Sequence, residues 1–296
     1  MSTTGPDTLP QAFFLPATPG QRFCLYHAPQ GGSTKGRILY LHPFAEEMNA
    51  SRRVVAQQCR ALASNGFAVL QMDLMGCGES SHDFVDATWD AWLQDVQRAL
   101  SWMDQQLPPA TSGPLWLWGL RAGALLACAT ATQRLQEQPT EALHLLLWQP
   151  VASGRQQVQQ FMRLHAAAQW LGGATTGEAP PLALAAGRAA QVAGYSLSPK
   201  LANGLESATL DLPDTSNGRV VWLELVNNSV ASSVPGSPWH QRQTERWLAA
   251  GWRVQTQTVT ATRFWQNVAE TSLDKSLCQA TLTAVTNADE ARAGAP

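Results

Sequence analysis

Gly119-Leu-Arg-Ala-Gly123 is the place in this sequence where residue types and spacing alone suggest chemistry. It follows the apolar run Leu115-Trp-Leu-Trp118 and leads directly into the Ala/Leu-rich stretch Ala124–Ala127. Small residues on both sides of a central residue let a strand turn into a helix within a few bonds, lifting the central side chain to the top of a sheet. With serine at the centre, such a turn presents a hydroxyl nucleophile for acyl transfer. Here the centre is Arg121, and a guanidinium is permanently protonated and cannot attack a carbonyl. It can instead hold an anion through a planar fork of donors, beside a helix N-terminus that also attracts negative charge.

Acyl transfer would also need an acid after the strand that ends near Leu225 and a histidine after the last strand, near Thr260. Val226–Ser233 holds no carboxylate, since Glu224 lies within the strand, and Ala261–Asn267 holds no histidine. His240 is out of order for the role and reads as a solvent-facing or helix-start residue. The oxyanion side is better supplied: the backbone N–H groups of Phe44 and Ala122 are both available, because neither residue is proline. Two adjacent carboxylates, Glu46 and Glu47, stand in the stretch after His42. They leave two readings of Arg121 open. It pairs with Glu46 or Glu47 and closes the site, or it binds a ligand carboxylate or phosphate.

Two side chains remain as catalytic candidates. Cys77, in Leu74-Met-Gly-Cys-Gly-Glu-Ser80, could be nucleophilic, although no histidine is evidently placed to activate it. His42 could activate a water, against the plainer role of a hydrogen-bonded, orienting residue. Asp73 reads as ordering the glycine-rich loop, and Ser80 as capping a turn. Trp118, Trp148 and Trp170 could line a cavity or belong to the core. The histidines show no metal-ligand spacing, and Gly76 and Gly78 lack the Lys-Ser/Thr of a phosphate loop, so neither metal nor cofactor is expected.

The elements that must position these groups can be read from periodicity. Ala12–Pro16 and Arg22–Ala28, around Thr18-Pro-Gly20, predict a hairpin. Arg37–His42, Phe67–Asp73, the run before the turn, Leu143–Trp148, Arg219–Val226 and Arg253–Thr260 predict strands. Asn49–Asn65, Asp86–Gln106, the segment to about Gln136, and Pro238–Ala250 predict helices. Strands alternating with helices imply a mostly parallel central sheet with helices on both faces, an α/β class. The alternation breaks at Val151. Helical stretches Gln156–Leu171 and Pro199–Leu210, with Ala190–Ser196 between them, predict an inserted cap over residues 151–217. Residues 1–150 and 218–286 are then the core, and 287–296 a flexible tail.

Across 296 residues, hydrophobic residues make up 45% and charged residues 14%, which describes a globular chain. A net charge of −2 gives no case for nucleic acid or an anionic membrane surface. No apolar run is long enough for membrane insertion, and no secretory signal is visible. The five cysteines lack C-x-x-C spacing, so a reduced, cytoplasmic setting is expected.

Several motifs fall in one order: His42-Pro-Phe-Ala-Glu-Glu-Met-Asn49, Asp73-Leu-Met-Gly-Cys-Gly-Glu-Ser80, Trp116-Leu-Trp-Gly-Leu-Arg-Ala-Gly123 and Leu145-Leu-Leu-Trp-Gln-Pro150. Together they resemble the α/β-hydrolase superfamily, and within it the second hydrolase family associated with the exosortase A system. That family occurs in bacteria that make exopolysaccharide and sort PEP-CTERM proteins. The resemblance implies an α/β-hydrolase fold, a hydrolase label and an arginine at the elbow as a family feature; it supplies no reaction. Two functions stay open. One is a non-catalytic member that binds an acidic small molecule or serves an export-system protein. The other is an esterase or thioesterase using Cys77, or a water activated by His42 or Glu46.

Overall fold

The computed structural model describes residues 9–170, 178–215, 218–227, 237–266 and 271–293. The two runs around Thr18-Pro19-Gly20 pair antiparallel as Gln11–Pro16 (β1) and Gln21–His27 (β2). Gly36–Leu41 (β3) leads into the helix Glu46–Ser64 (α1), Phe67–Met72 (β4) into Trp89–Gln106 (α2), and Leu115–Leu120 (β5) into Gly123–Glu137 (α3). Leu143–Trp148 (β6) closes this series. Next come Gly154–Trp170 (α4), Pro180–Ala185 (α5), the small hairpin Ala190–Val192 (β7) and Tyr195–Leu197 (β8), and Pro199–Ser207 (α6). The chain then returns through Arg219–Val226 (β9), Pro238–Ala249 (α7), Arg253–Thr260 (β10) and Lys275–Ala293 (α8).

Eight strands form one sheet in the order β1-β2-β4-β3-β5-β6-β9-β10. It is parallel from β4 through β10, and β1 and β2 add an antiparallel edge. Alternation along the strands assigns each residue to a face. Leu39, Leu41, Leu115, Leu117, Leu145 and Leu147 pack with Val96, Leu100 and Leu125 of α2 and α3. Ile38, Tyr40, Trp116, Trp118, Leu146 and Trp148 face the other way, with Val54 and Leu62 of α1 and Leu277 and Ala284 of α8. Burial on both faces explains why the central strands read as largely apolar runs.

Several boundaries differ from the sequence reading; the helix expected from Asp86, for one, begins at Trp89, after Thr88 caps it. Helix α1 begins at Glu46, three residues before Asn49, so Glu46 and Glu47 occupy its first turn and not a loop. Carboxylates there complement the helix dipole, and Ala45, at φ 49°, makes the bend that admits them. Helix α6 ends at Ser207, short of Leu210. Helix α8 runs to Ala293, so residue 287, where a flexible tail was expected to begin, lies inside a helix. Among the described residues, no helix is long and apolar enough to cross a membrane.

Candidate functional site

Strand β5 ends at Leu120 and α3 begins at Gly123, so Arg121 and Ala122 make the whole turn. Arg121 sits at φ 55°, in the left-handed region, where a non-glycine residue is strained by roughly 1–2 kcal/mol. Its N–H is tied to the carbonyl of Trp148 at 3.0 Å. The flanking glycines are required by space. A Cβ on Gly119 would lie 2.5 Å from the Cα of Ala124, and one on Gly123 only 2.1 Å from the carbonyl oxygen of Leu41. Local packing thus fixes the backbone of residue 121 at the carboxyl edge of the sheet.

The guanidinium is shared. Its Nε donates to Glu47 Oε1 at 3.2 Å and its Nη2 to Gln160 Oε1 at 3.1 Å. Gln157 Nε2 donates to the other oxygen of Glu47 at 3.3 Å. The ring of Trp265 lies under the guanidinium carbon, 5.6 Å from centroid to Cζ. Arg121 and Glu47 side chains are 11% and 19% exposed, so the pair is largely withdrawn from water. Burial raises the pKa of Glu47 above its ordinary value, and the positive charge of Arg121 pulls against that rise. Glu46, one residue earlier, points elsewhere, because adjacent helix positions do not face the same way. It accepts a hydrogen bond from the Tyr195 hydroxyl at 3.0 Å, and Asn49 donates to that hydroxyl at 2.9 Å. Of the two glutamates, Glu47 is therefore the partner.

A double-mutant cycle on Arg121→Ala and Glu47→Ala, read by urea unfolding, is expected to give a coupling of about 1–2 kcal/mol. Strictly additive losses would remove the pair as a stabilising contact.

His42 is buried at the end of β3, and both ring nitrogens are engaged. Nδ1 donates to the carbonyl of Pro43 at 2.8 Å, and Nε2 accepts the N–H of Leu74 at 3.2 Å. These partners fix the tautomer, and burial lowers the ring's pKa, so it stays neutral with no lone pair left for a water. Cys77 is buried in the apolar core; burial first, then Asp73 and Asp95, push its thiol far from ionisation. Asp73 receives Arg52 at 3.2 Å and the N–H of Glu79 at 3.0 Å, which orders the glycine-rich loop. Ser80 joins that loop to β2 by accepting the N–H of Phe23 at 2.9 Å.

His240 packs edge-on against Trp222, with ring centroids 4.1 Å apart. Glu224 is occupied by Gln149 Nε2 at 2.6 Å and Trp222 Nε1 at 3.0 Å. Trp118 and Trp148 belong to the core: both are fully buried between the sheet and α1 and α8. The side chain of Trp170 lies outside the described residues, as does 228–236, most of the stretch searched for an acid. Among the described residues, none accepts a hydrogen bond from the backbone N–H of Phe44 or Ala122.

Three residues of this site were not singled out from the sequence. Trp265 follows the last strand, in the stretch where a histidine was sought, and that position was its signal. Gln157 and Gln160 lie three apart on α4 and so share a face, a spacing readable in sequence once a partner is known. Among the described residues, no group of three or more His, Cys, Asp or Glu is arranged to hold a metal ion.

Residues 32–198 match the family model described as serine aminopeptidase, S33. No curated protein matches the chain. Solved structures share the fold at low sequence identity. Est1E from Butyrivibrio proteoclasticus, solved with ferulic acid, is 14% identical at a TM-score of 0.60, over 96% of this chain and 100% of that one. An esterase from Pyrobaculum calidifontis is 14% identical with a TM-score of 0.58, over 97% and 87%. A soluble variant of monoglyceride lipase from Saccharomyces cerevisiae is 13% identical with a TM-score of 0.57, over 96% and 97%.

Proposed function

The chain belongs to the serine aminopeptidase, S33, family of the α/β-hydrolase superfamily, and from that premise we propose that it is a member without a serine nucleophile, binding an acidic small molecule at its elbow. The observation that carries this is the guanidinium of Arg121 held where a hydroxyl would have to lose its proton, with Glu47 as internal counter-ion. The N–H groups of Phe44 and Ala122 would serve the ligand's oxygens, and residues 151–217 act as a cap that supplies Gln157 and Gln160. The motifs around His42, Asp73, Arg121 and Trp148 support a finer placement with the second exosortase A system-associated hydrolases. In that setting an export-system protein is the alternative partner.

An esterase using Cys77, or a water activated by His42 or Glu46, is less well supported. The thiol is buried and far from ionisation, His42 has both nitrogens engaged, and Glu46 is held by Tyr195. The full chain is expected to take up neither a fluorophosphonate nor a thiol-directed probe at Cys77. Stoichiometric labelling lost in Cys77→Ala would overturn the reading. Arg121→Ser is likewise expected to leave nitrophenyl esters intact, because among the described residues no base stands behind the new hydroxyl; turnover by that variant would locate a base this reading lacks.

A further inference from the structure

Arg121 is held in place by contacts that do not involve Glu47. Its backbone is fixed by the two glycines and by the bond to Trp148, Trp265 lies under its plane, and Gln160 holds Nη2. The guanidinium therefore stays where it is if Glu47 leaves. The carboxylate of Glu47 is less well provided for. Apart from Arg121 its donor among the described residues is one neutral amide, Gln157 Nε2. An ionised carboxylate left there without the arginine would be poorly hydrated and uncompensated, a state that proteins relieve by protonation.

Gln157 supplies the second observation. It is 3% exposed, and its Oε1 has no hydrogen-bond partner among the described residues. A half-turn of the amide exchanges Nε2 for Oε1 at the contact with Glu47. The same side chain that now donates to a carboxylate would then accept from a carboxyl O–H. The pocket is thus furnished for both protonation states of Glu47.

We propose that Glu47 is an exchangeable counter-ion: an incoming monocarboxylate takes its place on Arg121, and Glu47 takes up a proton from solvent in the same event. The inference rests on the reading of Arg121 as a binding residue. In balance, a ligand carboxylate and one proton enter, the Arg121–Glu47 pair becomes an Arg121–ligand pair, and Glu47 becomes a neutral acid. The charge of the site does not change, which is why a singly charged carboxylate fits it and a dianionic phosphate does not.

The surrounding charged and titratable groups leave Glu47 to Arg121. Glu46 is held by Tyr195, Arg52 by Asp73, and His42 is neutral. Arg263 donates to the carbonyl of Leu225, and Glu224 is held by Gln149 and Trp222. Burial already raises Glu47 from its ordinary value with the arginine beside it, so losing that partner moves it further the same way. The sign follows. The complex binds one more proton than the free protein, so affinity for the ionised carboxylate is highest below the free-state pKa of Glu47 and falls as pH rises from there towards its pKa in the complex.

The test is calorimetric titration of benzoate into the full chain near neutral pH, in two buffers of different ionisation enthalpy, repeated with acetate and inorganic phosphate. Expected is uptake approaching one proton with benzoate, and an affinity falling by up to about tenfold per pH unit above neutrality. Glu47→Gln, which keeps the shape and cannot titrate, is expected to bind benzoate at least about tenfold more tightly at alkaline pH, without proton uptake. Benzoate binding to the wild-type protein without proton uptake, or tighter binding of phosphate, overturns the exchange and leaves Arg121 as an anion site. No binding of any of the three, or binding unchanged in Arg121→Gln, overturns the binding reading itself.

Discussion

Asp95→Ala is expected to destabilise the protein by about 3–5 kcal/mol, the range for removing one member of a buried ion pair. For a chain of this length that lowers the melting temperature by on the order of 10 °C. The side chain of Asp95 is 0% exposed and that of its partner Arg22 1%. Asp95 accepts Arg22 Nε at 2.7 Å, the N–H of Met75 at 2.8 Å and Arg98 Nη1 at 3.2 Å. One carboxylate on α2 thereby ties down β2 and the loop after β4, the loop whose Leu74 N–H holds His42. Most of the loss comes from the groups left behind, a buried guanidinium and a buried N–H without their acceptor. It follows that Arg22→Met with Asp95→Leu should cost clearly less than Asp95→Leu alone, because the double change leaves no fully buried uncompensated charge; Arg98 also loses its partner, but its side chain reaches solvent. Urea midpoints for the three variants check this. Equal losses for the single and the double change would mean that Asp95 acts through packing and not through charge.

That ion pair also shows where reading the sequence stops. Arg22 and Asp95 are 73 positions apart, and nothing in the local pattern around either residue announces the other. Strands and helices are different, because their periodicity is written locally: the runs at Arg37–His42, Phe67–Asp73 and Leu143–Trp148 were legible because burial on both faces leaves them mostly apolar, with polar residues such as Arg37, His42, Asp73 and His144 near their ends. The elbow was legible for a related reason. Only a backbone approaching another backbone needs glycine on both sides of one residue, and both close approaches are present. The segment between β6 and β9 was legible as an interruption but not in its contents: α5 is short, and the hairpin β7–β8 was seen only as a segment. For the aromatic side chains the sequence left core and cavity both open, and structure was needed to choose. Trp118 stands next to the elbow in sequence and Trp148 ends the neighbouring strand, yet alternation turns both to the face covered by α1 and α8. Which glutamate meets Arg121 also depended on structure, since the start of α1 decides which way each of two adjacent residues points.

Gly123→Ala sets two physical rules against each other at the elbow, and the outcome decides whether the turn is as tightly built as it looks. Gly123 is the first residue of α3, and helix propensity alone favours alanine over glycine there by up to roughly 1 kcal/mol. The added Cβ would lie 2.1 Å from the carbonyl oxygen of Leu41 and 2.8 Å from that of His42. Both are main-chain atoms at the end of β3, so no side-chain rotation relieves the contact. Leu41 is paired with Gly119 in the β3–β5 register, so moving it disturbs the central ladder. Overpacking of this kind costs about 3 kcal/mol or more when the backbone has to yield. The steric term exceeds the propensity term, and the net expectation is a loss of about 2 kcal/mol or more. Because the turn also sets the position of Arg121, the spectroscopic environment of Trp265 should change in the folded variant. A variant as stable as the parent, with an unchanged tryptophan spectrum, would mean that β3 and the elbow stand further apart than these contacts require, and that Arg121 is free to leave the edge of the sheet.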